Sequence, residues 1–305
     1  MTTNIAIDIG YGDIKCKVNN KLFKFDTAVC YSKNLYTDIG EAEIYSFEGK
    51  KYLVGESALS DAFTTRDYLF LEKYAPLFIY KSLEIAKVNL KNEINLITGL
   101  SLVDWKSKKE QFAKRISQFY INNKEINLNI HLVPQGKGIY NYYIEKHPES
   151  KKIKLVIDDI GYNTHDRLVF NNGVPNPQES YATNTGVNKI VTEIQTVLSS
   201  EYNMDFSEQE VKQMLLTKSI TIGGKKKDIS FIIEEEIEKY FEFYMNESRS
   251  KKKGLLSRAD KIIISGGGAY YLEKLTFPEN VEFLNDDPHE YLNVLGYWNE
   301  LNEVK

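Results

Sequence analysis

Two stretches of this chain set the same residue types at the same spacing, and those types handle phosphate. One reads Ile7-Asp8-Ile9-Gly10-Tyr11-Gly12-Asp13-Ile14-Lys15, the other Asp158-Asp159-Ile160-Gly161-Tyr162-Asn163-Thr164-His165-Asp166. Each follows an apolar run, Ile5-Ala6-Ile7 and Leu155-Val156-Ile157, and each carries Asp-Ile-Gly-Tyr where a turn is expected. Glycine in such a strand–turn–strand unit lets backbone approach a ligand closely. Successive N–H groups then form a concave nest that attracts phosphate oxygens, and the aspartate ending the first strand is placed to hold a metal ion or its waters. Taken singly, each stretch is an ordinary hairpin, because Gly and Asp are default turn residues. Repeated near the start of each half, after equivalent strands, the pair implies two hairpins gripping a triphosphate from opposite sides.

The elements that must carry these hairpins can be read from periodicity. Strands are expected over 4–9, 14–18 and 22–25, and over 94–98, 128–133 and 261–265. A second strand system starts over 151–157, and Pro175 and Pro177 mark a loop. Pro76 is expected to open a helix with Leu77, Tyr80, Leu83, Ile85, Val88 and Leu90 as its stripe. Further helices are expected over 106–120, with Phe112, Ile116, Phe119 and Tyr120 towards the core, and from about Gly138. Others fall over 187–198, after a Ser207–Glu210 capping box, over 229–245 and over 289–304. Residues 31–75 suggest short strands in a small peripheral unit. Strands alternating with helices give an α/β architecture. No low-complexity linker separates the halves, so they should pack together and share a cleft.

Composition sets the remaining bounds. The 305 residues suit about two domains, since single cores stop growing near 250–300 residues. With 42% hydrophobic and 27% charged residues the chain is globular rather than disordered. A net charge of −4 argues against direct binding of nucleic acid, which calls for a basic face. Cys16 and Cys30 are the two cysteines, without a Cys/His cluster, so structural zinc is not expected and a reduced, cytoplasmic chain is. No membrane-spanning run and no signal-peptide pattern appear in the sequence. The lysine runs at 225–227 and 251–253 read as solvated faces.

Three further segments extend the pattern: Val133-Pro134-Gln135-Gly136-Lys137-Gly138, Thr185-Gly186-Val187-Asn188, and Ile262-Ile263-Ile264-Ser265-Gly266-Gly267-Gly268-Ala269. With these the chain resembles the superfamily of actin, Hsp70 chaperones and sugar kinases. Within it the chain looks most like prokaryotic actin-like proteins of the ParM type and archaeal actin-like relatives. The resemblance implies an actin-like fold, with two RNase H-like domains flanking a nucleotide cleft. The first would span 1–157 with the peripheral subdomain at about 31–75, the second 158–287, and the closing segment 288–305 would pack back on the first.

What the resemblance implies for the site is specific. Asp8 and Asp159 would hold Mg through water and serve catalysis with Gln135, which would orient the attacking water. Gly10, Tyr11, Gly12 and Lys15 would hold the phosphates from one side, and Gly161, Tyr162, Asn163 and Thr164 from the other. Gly186 would lie near the ribose, and Gly266, Gly267 and Gly268 would lie against the adenosine. Tyr162 departs from the family pattern, which has a second glycine there, and a bulky residue in the turn would slow hydrolysis or reshape the γ-phosphate pocket. His165 is expected to be structural, and Asp166 is open between site and scaffold. The implied cofactors are ATP (or GTP) and Mg. The implied activity is an ATPase that assembles with itself into filaments, with a DNA-binding adaptor as partner in plasmid segregation and without membrane contact. Two alternatives stay open from the residues: a small-molecule kinase of the same superfamily, and a nucleotide-dependent scaffold that does not polymerise.

Overall fold

The computed structural model describes residues 2–32, 43–63, 67–251 and 254–303. The chain opens with three strands in a meander, β1 (Thr2–Ile9), β2 (Asp13–Val18) and β3 (Lys21–Asp26). Three short strands follow, β4 (Val29–Tyr31), β5 (Tyr45–Phe47) and β6 (Lys50–Val54), and form their own sheet in the order β4-β6-β5. The expectation of a peripheral unit falls partly on 33–42 and 64–66, outside the described residues. Next come α1 (Tyr68–Ala86), β7 (Glu93–Leu100), α2 (Leu102–Ser117), β8 (Gln118–Ile121), β9 (Lys124–Asn127), β10 (Asn129–Pro134) and α3 (Lys137–Lys146).

The second half repeats that plan. It runs β11 (Lys154–Ile160), β12 (His165–Asn171), β13 (Val174–Pro175), β14 (Tyr181–Thr183), α4 (Asn188–Tyr202) and α5 (Glu208–Thr217). Then follow β15 (Ser219–Ile222), β16 (Lys225–Asp228), α6 (Ser230–Lys251), α7 (Leu255–Arg258), β17 (Lys261–Ser265), α8 (Ala269–Leu272), β18 (Val281–Phe283) and α9 (Leu292–Glu303). The two main sheets have the orders β10-β7-β1-β2-β3 and β13-β12-β11-β17-β18. In each, an antiparallel hairpin, β1–β2 or β11–β12, has parallel strands added on its outer side, β7 and β10 or β17 and β18. The leading strand of each is buried along its last residues, as expected of strands covered on both faces.

Two helices cross between the sheets. Helix α3 leaves the first sheet and buries Ile139, Tyr140 and Tyr143 with Leu155, Ile157 and Phe170 of the second. Helix α9 leaves the second and buries Val294 and Tyr297 with Ala6, Ile97 and Val133 of the first. Each sheet is therefore covered in part by a helix arriving from the other.

Some local expectations fail for identifiable reasons. Pro76 does not open α1: the helix starts at Tyr68, where Asp67 accepts from the Phe70 N–H, and Pro76 lies inside it. The missing donor is outweighed by burial of Leu71, Tyr74, Leu77 and Phe78 along the helix. Helix α2 stops at Ser117, and β8 turns back into β9 through Asn122 and Asn123, both at positive φ (52° and 60°). Strand alternation then buries Phe119 and leaves Tyr120 58% exposed, so Tyr120 does not join the core. A second hairpin, β15–β16, turns at Gly223-Gly224, and Lys225, Lys226 and Lys227 lie exposed on it. Lys252 and Lys253, in the other lysine run, lie outside the described residues.

Candidate functional site

The tips of the two repeated hairpins face each other. Gly12 of the first lies against Tyr162 of the second, so closely that a Cβ on Gly12 would sit 3.3 Å from the Tyr162 Cβ. Around this meeting point opens a cleft of about 330 Å³, within the range of small-molecule sites. Its wall holds Asp8, Gly10, Tyr11, Gly12 and Lys15 from the first hairpin, Gln135 from the end of β10, and Asp159, Gly161, Tyr162 and Thr164 from the second hairpin. Gly266 and Gly267, between β17 and α8, complete the far side. At Gly267 an added Cβ would meet nothing within 4 Å, which leaves backbone accessible to a ligand. Three of the expected ligand residues, Asn163, Gly186 and Gly268, are not part of that wall.

Asn163 lies in the turn of the second hairpin, and Gly186 and Gly268 support that hairpin from behind. The N–H groups of Gly186, Val187 and Asn188 donate to the carbonyls of Asn163, Gly161 and Tyr162 at 3.1, 3.2 and 2.8 Å. A side chain at Gly186 would clash with the Tyr162 carbonyl at 2.3 Å, so glycine here serves the close approach of two backbones. Gly268 donates to the Ile160 carbonyl at 2.8 Å and packs under Ile160 and Val187.

The two aspartates carry the electrostatics. Lys15 Nζ lies 3.8 Å from Asp8 Oδ2, and Gln135 Nε2 donates to Asp8 Oδ1 at 3.4 Å. Burial pushes the Asp8 carboxyl above its ordinary range, against the pull of Lys15 and Gln135. Burial, and then the Asp8 charge, push Asp159 up to about 8. Two buried carboxyls, both raised by burial and one of them also by its neighbour's charge, are a place where a cation would be welcome. Among the described residues there is no group of three or more His, Cys, Asp or Glu suited to a metal. A cage of protein ligands is therefore not what the site offers. Magnesium instead keeps several waters and takes one or two carboxylates beside phosphate oxygens, and Asp8 with Asp159 fits that donor set.

The neighbours of Asp159 face two ways, because successive strand residues point to opposite sides of a sheet. Asp166, the cross-strand partner of Asp159, is buried and accepts from the Ser101 hydroxyl at 2.9 Å and the Leu102 N–H at 2.6 Å. It thus caps α2 and ties the second hairpin to the first half, which is scaffold work. On the other face Asp158 pairs with Arg167, both fully buried, and Tyr244 and Ser248 of α6 complete the hydrogen bonds. Arg167 holds the Asp158 carboxyl well below the usual range although burial alone would raise it. His165 lies in this cluster, 3.4 Å from Asp158, away from the cleft wall.

Several cleft residues escape a sequence reading. Helix α5 lines one side with Gln209, Lys212 and Gln213, and Lys212 Nζ sits 4.0 Å from the centre of the Tyr162 ring. Tyr162 donates to Glu208 at 2.9 Å, so its ring is held between the first hairpin and α5. Lys24, Tyr270, Tyr271 and Glu290 line the opposite end, with Lys24 paired to Glu290 at 3.0 Å. Asn293, on α9, reaches Asp159. Only a capping signature at Ser207 pointed to α5 at all, and nothing local marked Asn293.

Among the described residues no helix is long and apolar enough to cross a membrane. No curated protein matches the chain in sequence. Solved structures do match over their whole length. A ParM filament from Clostridium botulinum agrees with a TM-score of 0.83 at 20% identity, covering 99% of both chains. A pCBH ParM quadruple mutant described as non-polymerisable agrees at 0.82 and 20%, covering 99% of this chain and 100% of that one. The archaeal actin homologue Ta0583 in complex with ADP agrees at 0.80 and 17%, covering 99% of both. At these identities the likeness establishes the fold. Sequence-family models cover both halves: the N-terminal domain of actin-like proteins matches residues 6–138, and the C-terminal domain of the archaeal actin homologue MreB-like family matches 156–276. The chain belongs to the actin-like proteins.

Proposed function

We propose that this chain binds a magnesium nucleoside triphosphate, ATP by resemblance, between the two hairpins, hydrolyses it, and assembles with itself into filaments. The observation that carries the reading is the meeting of Gly12 and Tyr162 over one cleft whose wall holds Asp8, Asp159 and Gln135 together. Backbone at Gly10–Gly12 and at Gly161 would hold the polyphosphate, with Lys15 adding charge. Asp8 and Asp159 would hold magnesium through water, and the ion would neutralise phosphate charge. Gln135 turns its amide nitrogen to Asp8. The carbonyl of that amide is the acceptor that would orient a water for in-line attack, which suits a loose phosphoryl transition state. Asp159, sharing the waters of that ion, would help to polarise the attacking water.

Self-assembly is supported by relatives: one solved neighbour is a 15-stranded ParM filament and another is a filament of Alp12. A head-to-tail contact that does not close on itself generates such a polymer. Partition of DNA through a separate adaptor is the finer role that we infer from the ParM resemblance, with residues 1–157 and 158–287 as the two domains that would move.

The test is phosphate release without any acceptor substrate, with sedimentation under ATP and under ADP, for wild type beside Asp159→Ala and Gln135→Ala. We expect wild type to release phosphate and to pellet more with ATP. Each variant should lose on the order of 100-fold or more in turnover. Turnover in the variants equal to wild type would sink the assigned roles, and ADP formation that needs an added hydroxyl acceptor, with the phosphoryl group on that acceptor and no free phosphate, would make the chain a kinase.

A further inference from the structure

Asn293 lies at the start of α9, 5% exposed, where that helix meets α3. Its side chain has two partners. Nδ2 donates to Asp159 Oδ2 at 2.6 Å, and Oδ1 accepts from the Gly136 N–H at 3.1 Å. The Gly136 partner fixes the orientation of the amide, because a backbone N–H only donates and so must meet the amide oxygen. Gly136 directly follows Gln135 in the chain, in a left-handed conformation with φ of +86°. One amide therefore joins the carboxylate of the second hairpin to the backbone that carries Gln135.

The joint is rigid on both sides. Backbone of Asn293 sits against Gly138, where a Cβ would fall 2.2 Å from the Asn293 carbonyl oxygen. Gln135 is held on the other side by its N–H, which donates to the Leu100 carbonyl at 2.9 Å. An apolar residue would fill the same volume in a packed helix crossing. The cost of an amide here is repaid only if both of its ends are used, since buried polar groups without partners are destabilising.

We propose that Asn293 is a positioning residue for hydrolysis: it sets the angle between the Asp159 carboxylate and the Gln135 amide, so that both address the same water. The proposal rests on the hydrolytic reading above and names a residue of α9 as part of that machinery. It separates turnover from binding, because the phosphate-holding backbone of both hairpins does not pass through Asn293.

The experiment uses the full chain with Asn293→Ala and Asn293→Asp. The first removes both contacts. The second is nearly isosteric, keeps an acceptor for Gly136 and removes the donor to Asp159, so it decides the matter if the alanine variant does not fold. We expect turnover to fall about 10–100-fold in each, as for loss of an outer partner of a reacting group, while the Kd for ADP by titration calorimetry stays within about threefold. Combined with Gln135→Ala, Asn293→Ala should cost little beyond the worse single variant, because residues acting as a unit are not additive. A crystal structure of Asn293→Ala should show the Asp159 carboxylate turned from its present direction. Turnover within about threefold of wild type, a parallel loss of ADP binding, or an unmoved Asp159 overturns the assignment. Wild type that binds ADP and ATP but releases no phosphate overturns the hydrolytic reading itself, and the assignment with it.

Discussion

Gly296 of α9 lies directly on the carbonyl of Gly138 in α3: a methyl on Gly296 would fall 1.7 Å from that oxygen. Helices normally keep their axes about 8–10 Å apart because side chains intervene. Here glycines on both helices remove the spacer at the point where the chain passes between the two sheets. Gly296→Ala should therefore destabilise the whole molecule, since backbone cannot yield as a side-chain end can. We expect a loss of about 3 kcal/mol, at the upper end for overpacking, read as a fall in the midpoint of thermal or urea unfolding. A midpoint unchanged from wild type would show that the crossing has room to open.

This crossing also shows what a sequence can and cannot reveal. The hairpins are legible because all their parts are local: apolar strand, Asp-Ile-Gly-Tyr and second strand follow one another directly, over 2–18 and 154–171. Lys261–Ser265 was equally legible as an apolar run stopped by glycines. Gly296 carries no such mark, and the motif that holds Gly138 does not show its packing role, which arises only where two distant helices touch. Asn293 is 134 residues from Asp159 and sits in a helix whose stripe reads simply as core. Pro76 misled because a helix start and a tolerated interior proline look alike until the buried face of α1 is known. The Asn122-Asn123 turn was a readable signal for a left-handed hairpin turn and was masked by the helical spacing of Phe112, Ile116 and Phe119 just before it.

Arg167 and Asp158 are both fully buried, so their pairing is a test of how the second hairpin is anchored to α6. Arg167→Met keeps the bulk and leaves Asp158 charged and without its main partner. We expect a loss of about 3–5 kcal/mol, the usual cost of breaking one side of a buried pair. Adding Asp158→Asn to Arg167→Met should recover a large part of that loss, because the uncompensated charge is gone. Equal stability of the single and the double variant would show that the hydrogen bond from Tyr244 to residue 158, rather than the ion pair, holds the cluster together.

Asp166 makes stability depend on pH with a sign opposite to that of an ordinary salt bridge. Burial pushes its carboxyl up to about 6, and the hydrogen bonds from Leu102 and Ser101 only partly restrain the rise. In the unfolded chain the same group titrates near 3.8. Between those values the folded state binds more protons, so the stability linked to this group is fully present below about pH 4 and is lost as pH climbs through 6. Asp166→Asn removes the titration and keeps an acceptor for the Leu102 N–H. The stability of wild type relative to this variant should therefore decline from pH 4 to pH 7.5, by on the order of 3 kcal/mol, about two units at roughly 1.36 kcal/mol each. Urea unfolding of both proteins across that range measures the difference directly and cancels the titration of groups that do not feel the Asp166 charge. A difference that stays flat with pH would mean that Asp166 titrates as it does in water, and that its cap on α2 is open to solvent rather than locked between the two halves.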